Sequence, residues 1–143
     1  MKTKRWTLLA VFLLATTLGS VQLPLAAQVS SGITVPVAPE GVTVRLVNQT
    51  DEPVTYEALG DTQSRLLSSG DDVILRALNT PATLTFFYQD IQKDPQTGTG
   101  LLQTELSLNE ATGVLDVTIR PTNSLDADVS NITVEPNGDI LTF

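Results

Sequence analysis

The sequence predicts an all-β fold: a single antiparallel β-sandwich, Ig-like in architecture, or a small barrel, behind an N-terminal signal peptide. Three observations carry this. Beyond the first 27 residues, apolar side chains recur with a period of two. Turn residues interrupt these runs at intervals of roughly 8–12 residues. The best helical candidate, Leu101–Ala111, fits alternation better than a 3.6-residue stripe.

The elements follow in order. Residues 28–41 read as an extended entry segment in which Ile33, Val35 and Val37 alternate, and Pro36 restricts it to an edge strand or tail. Residues 42–143 form the sandwich domain. Val42, Val44 and Leu46 point one way, Thr43 and Arg45 the other. Asn48–Pro53 is turn chemistry, with Asn and Asp bonding locally and Pro fixing φ. Val54, Tyr56 and Ala58 form the returning strand, broken at Gly60-Asp61. Short strands follow at Arg65–Leu67 and Val73–Leu78, with SSGDD (Ser68–Asp72) between them. Leu84, Phe86 and Tyr88 share a face; Thr83, Thr85 and Phe87 take the other. Leu102, Thr104, Leu106 and Leu108 form the next strand, and Leu115, Val117 and Ile119 another, before Pro121 stops pairing. ITVE and ILTF flank Pro136-Asn137-Gly138-Asp139, a hairpin signal. Eight to ten short strands with distinct faces favour the sandwich. No internal repeat points to a solenoid or propeller.

The leader has three parts: MKTKR, the apolar run Trp6–Leu18, and PLAAQ at Pro24–Gln28. A cationic start, apolar centre and small-residue exit make residues 1–27 a signal peptide, cut after Ala27. Export to the periplasm, cell envelope or exterior is expected. The apolar run falls short of the ~20 residues that span a bilayer, so membrane attachment would come only through an uncleaved leader extended to Ala27.

Composition excludes whole classes of function. Eight Lys+Arg stand against 16 Asp+Glu; without the leader, 5 basic residues remain and the net charge is −11. Nucleic acid and anionic lipid are therefore not expected partners. The chain has no His and no Cys. Ser-His-Asp and Cys-His catalysis, thiol redox chemistry and ordinary zinc, haem or copper ligation are excluded, and stability cannot rest on disulfides. No cofactor is expected.

Few places remain for chemistry. Asp126, Asp128 and Ser130 fall at i, i+2 and i+4, the spacing that converges oxygens on calcium. An EF-hand loop would then require Gly and a bidentate acid where Asn131 and Asn137 stand. Phe87 and Tyr88, in the cluster Phe86-Phe87-Tyr88, are candidates for a sugar-stacking platform. Alternation instead assigns Phe86 and Tyr88 to the core and Phe87 to the opposite face. Glu57, Asp72, Glu105 and Asp116 are the carboxylates a glycoside hydrolase would need, but they fall on outward positions or turns without an apolar setting to raise a pKa. Lys93 lies between Asp90 and Asp94, where the field holds it charged and unsuited to a Ser-Lys pair. The loop Asp90–Gly100 around it is long for a hairpin and is the first place to seek a contact surface away from strand edges. Asn48-Gln49-Thr50 and Asn131-Ile132-Thr133 match the glycosylation acceptor pattern but read as plain turn residues.

Val44–Arg65 (VRLVNQTDEPVTYEALGDTQSR) followed by Pro81–Asp90 (PATLTFFYQD) resembles small exported β-rich proteins of cyanobacteria with no assigned activity. The resemblance runs from about Val42 to Phe143 and implies export and an all-β fold. It rests on turn and core residues and carries over no functional residue. The expectation is therefore a non-enzymatic envelope module that pairs with another envelope protein by strand addition. The Pro36 segment and the C-terminal ILTF strand are the expected edges. The alternative is loop-mediated binding of glycan or calcium.

Overall fold

The computed structural model describes residues 29–143; the expected leader lies outside the described residues. Ten strands are formed among them: β1 (Val29–Thr34), β2 (Val42–Asn48), β3 (Val54–Ala58), β4 (Arg65–Leu67), β5 (Asp72–Leu78), β6 (Ala82–Tyr88), β7 (Leu101–Asn109), β8 (Val114–Thr122), β9 (Asn131–Val134) and β10 (Asp139–Thr142). They make two packed sheets, ordered β1-β10-β9-β6-β3-β4 and β5-β2-β8-β7. The fold is a sandwich rather than a barrel.

Period-two patterning becomes burial directly. In β2, Val42, Val44, Leu46 and Asn48 are buried while Thr43, Arg45 and Val47 are only partly so. β3 and β6 alternate the same way, and Phe87 is the exposed residue of β6. The inward rows of both sheets meet in one core, where Phe86, Leu46, Leu84, Leu115, Ile119, Ile132 and Ile140 are fully buried. Burial of a side chain of this size stabilises by about 1.5–3 kcal/mol. This burial and the ladders hold a chain that has no disulfide.

Four departures from the expected pattern have physical reasons. First, β2 and β8 pair in parallel, whereas the other pairs are antiparallel. The chain crosses to the other sheet several times between them, and such a connection leaves relative direction open. Second, Pro121 does not end pairing: Leu102 stands opposite it and Leu101 opposite Thr122. The Leu102 N–H donates away from β8, to the Asp128 carboxylate, so this is a pair that exchanges no ladder hydrogen bonds and a missing N–H costs nothing there.

Third, the hairpin expected at Pro136–Asp139 forms, but not around the two-residue turn that an Asn-Gly pair commonly makes. Pro136 fixes a negative φ, and Asn137 is not among the residues with positive φ. Gly138 alone takes the left-handed conformation, at φ 88°. Gly138 N–H donates to Glu135 O (2.8 Å) and Glu135 N–H to Asp139 O (2.8 Å). This is the geometry of a three-residue loop closed by a glycine bulge. The Gly138 carbonyl in turn accepts from Val35 N–H at 2.8 Å, docking the end of the entry segment onto the hairpin.

Fourth, the C-terminal strand is not an edge. β10 lies between β9 and β1, because the entry segment folds back and covers it. Among the described residues, the edges are β1 and β4 in one sheet and β5 and β7 in the other.

Candidate functional site

The outer face of the four-stranded sheet carries two clusters of paired charge. Arg45 on β2 reaches Asp72 on β5 (2.9 Å) and Asp116 on β8 (3.7 Å). The Asp72 hydrogen bond and charge, helped by Asp116, raise the Arg45 pKa. Arg120 on β8 pairs with Glu105 on β7 (3.3 Å) and donates to Gln49 (3.0 Å). On the other sheet, Glu57 accepts from Ser64 Oγ at 2.6 Å. The four carboxylates considered for hydrolysis are thus spread over both outer faces, each engaged with a neighbouring side chain. They do not face one another across a cleft.

Phe87 and Tyr88 part company. Phe87 is 50% exposed on the outer face of the six-stranded sheet. Register places Thr55 opposite both Phe87 and Leu66, so Leu66-Thr55-Phe87 form one row across three strands. Thr85, Glu57 and Asn131 form the next row. Tyr88 is buried on the inner face and is no part of an exposed platform. Burial pushes its phenol pKa up, and the Asp51 and Glu52 charges add to this against an opposing hydrogen bond with Thr50.

The long loop folds upon itself. Asp94 and Thr99 exchange backbone hydrogen bonds of 2.8 and 3.1 Å. The Asp94 carboxylate accepts from Thr97 Oγ1 (2.8 Å) and Gln96 N–H (2.9 Å), which hold its pKa below the usual range. A cavity of about 480 Å³ lies against Gln92, Lys93, Asp94, Thr97 and Thr99. Lys93 does not settle between Asp90 and Asp94; its ammonium pairs with Asp128.

That pairing changes the reading of the calcium candidates. Asp128 Oδ2 meets Lys93 and Oδ1 accepts from Leu102 N–H at 3.1 Å, so both oxygens are committed within the protein. Asp126 is exposed on a 3-10 turn, Leu125–Ala127. Ser130 is tied through its backbone, its N–H donating to Phe143 O and its carbonyl accepting from Phe86 N–H. Among the described residues no group of three His, Cys, Asp or Glu is arranged to hold a metal ion.

Asn48 has a role that its motif concealed. It is fully buried, its amide donating to Glu52 O (2.9 Å) and Leu67 O (3.0 Å) while its Oδ1 accepts from Thr50 N–H (2.9 Å). Both amide hydrogens are used in the fold, which leaves no acceptor for a glycan.

One side of the sandwich is unfinished. Among the described residues, β7 pairs with β8 on one flank only. Leu102 at its start is capped there: its carbonyl accepts from Val129 N–H at 2.7 Å and its N–H is held by Asp128. Backbone groups alternate in direction along a strand, so Thr104, Leu106 and Leu108 present theirs to the same open flank. The Thr104 Oγ1 is buried without a hydrogen-bond partner. At the far end of β7, a groove of about 630 Å³ is formed by Thr34–Val37, Leu108, Glu110, Pro136 and Asn137. Periodicity could indicate that Leu102–Leu108 is a strand, but not that it would be an edge.

Comparison with protein-family models, curated proteins and solved structures finds no match to this chain.

Proposed function

We propose that this chain is an exported, non-enzymatic interaction module of the periplasm or cell envelope that engages its partner by strand addition. The open flank of β7 carries the reading. An unpaired edge is a template for another strand, and backbone pairing requires no special side chains. Arg45 and Arg120 on the outer face of that sheet are already paired with acids, which directs attention to the backbone edge. Cell fractionation with native electrophoresis tests this. The protein should recover with the periplasm or envelope, migrating in a species larger than the processed chain alone. A cytoplasmic monomer would contradict it.

A second reading, glycan binding, is favoured by one observation: Phe87 stands exposed on the outer face of the six-stranded sheet beside Thr55 and Thr85. An aromatic face flanked by hydroxyls suits stacking against a sugar ring. A glycan array read against Phe87→Ala separates the two, since that substitution leaves the β7 edge untouched.

A further inference from the structure

We infer that the β7 edge receives an extended segment of another protein, apolar at alternate positions and flanked by Lys or Arg, as a fifth strand of the four-stranded sheet. This rests on the interaction-module reading and names its edge and the chemistry of its partner.

The first argument is a mismatch between the sheets. One has six strands and the other four. Val29 on β1 stands opposite Thr142, which stands opposite Ile132, a fully buried residue. Cross-strand partners share a face, so Val29 points toward the interior side of its sheet. It is nevertheless 59% exposed. No strand of the narrower sheet lies over it. β1 and β7 approach each other along this side of the sandwich, and Ile33, Leu106 and Leu108 close the core between them only in part. A strand laid beside β7 would cover the inner face of β1, with apolar side chains at alternate positions turned toward Val29 and Ile33.

Backbone chemistry agrees. Thr104, Leu106 and Leu108 offer N–H and C=O groups at the spacing of one face of a strand, about 6.6–6.8 Å. The capped Leu102 marks where the free stretch begins. The groove at Pro36, Val37 and Leu108 receives the end of the added segment.

Charge selects the partner. Glu110 lines the groove at one end of β7, and Asp126 is exposed on the turn that contacts the other end. The cations nearest the edge are occupied: Arg120 by Glu105, Lys93 by Asp128. A second copy of this acidic chain would bring like charges together, whereas cationic flanks meet unpaired acids.

The probe is a synthetic nine-residue peptide of alternating valine and threonine with lysine at each end, set against the same peptide ended in glutamate. Both are titrated into the protein purified from the envelope fraction, with amide exchange followed by NMR. The lysine-ended peptide should bind at least ten-fold more tightly and slow exchange at Thr104, Leu106 and Leu108. Val29→Ser, at an exposed site that leaves folding intact and adds no charge, should weaken it at least five-fold. Leu106→Pro should abolish protection, with circular dichroism reporting the fold. Protection at β4 or β5 instead, or equal affinity for the two peptides, overturns this inference and leaves the interaction-module reading standing. Concentration-dependent protection of β7 without peptide would make a second copy the occupant, and also overturns it.

Discussion

The Lys93 ammonium closes on the Asp128 carboxylate and ties the β6–β7 loop to the connection between β8 and β9. The partners differ in setting: the Lys93 side chain is 43% exposed and that of Asp128 only 9%. Removing the cation leaves a nearly buried carboxylate with the Leu102 N–H as its remaining protein partner. Lys93→Met, which keeps the aliphatic stem, should cost about 1–2 kcal/mol, between the values for exposed and buried pairs. Urea denaturation measures this. A change below about 0.3 kcal/mol would class the pair with ordinary surface contacts.

Ala77 has φ 56°, the positive φ of a non-glycine residue among those described, and sits where β5 bulges against β2. Gly41 lies against the same bulge; a Cβ there would fall 2.2 Å from the Leu78 carbonyl oxygen. The two positions should respond in opposite directions. Ala77→Gly relieves left-handed strain and should stabilise by about 0.5–1 kcal/mol. Gly41→Ala meets backbone that cannot yield and should destabilise by about 2 kcal/mol or more. Thermal melts of the two single variants check both signs.

The alternating strands were the most legible part of the sequence, because burial on one face of a pleat imposes a period of two. Val44-Arg45-Leu46 and Leu84-Thr85-Phe86 therefore read correctly from spacing alone. What spacing lacks is the identity of each strand's neighbour. ILTF reads as a terminal strand, but its loss of edge status depends on β1 arriving from the opposite end of the chain. The β2–β8 pair and the Lys93–Asp128 contact are equally non-local. Phe87 and Tyr88 separate by parity, which the alternation contains. The exposure of Val29 arises from the unequal widths of the sheets, which no local pattern carries.

Tyr88 supplies a pH dependence. Burial raises its folded pKa above the unfolded value of about 10. The folded state therefore holds the phenolic proton more tightly. The stability this contributes is fully present below pH ~10 and is lost as pH rises through the raised value. Midpoint temperature should fall more steeply above pH ~10 in the wild type than in Tyr88→Phe. At neutral pH the substitution should cost about 1 kcal/mol or less, since the buried ring stays and only the hydroxyl is removed. Melts at pH 7 and above pH 10 compare the slopes; parallel slopes would show that Tyr88 does not govern alkaline stability.

Asn48 is the residue whose loss should be felt most widely. Its amide spans the β2–β3 turn and the end of β4, and its backbone exchanges hydrogen bonds with the β4–β5 turn: Asn48 N–H to Asp71 O (2.9 Å) and Gly70 N–H to Asn48 O (2.8 Å). Thr50 extends the cluster, its Oγ1 donating to Glu52 O at 2.6 Å and its carbonyl accepting from Ser69 Oγ at 2.6 Å. Asn48→Ala removes three side-chain hydrogen bonds and leaves the buried Thr50 N–H without its acceptor. At about 1 kcal/mol for each bond, with a further 1–3 kcal/mol for a buried group left unsatisfied, the cost should be about 4–6 kcal/mol. Asn48→Asp keeps the shape but replaces both donors with an acceptor facing carbonyls, and should cost at least as much at pH 7. Chemical denaturation measures both variants, and amide exchange should show Thr50 and Gly70 losing protection first. A cost below about 1 kcal/mol for Asn48→Ala would mean that water replaces the amide at no penalty and that this end of the sandwich is held by packing alone.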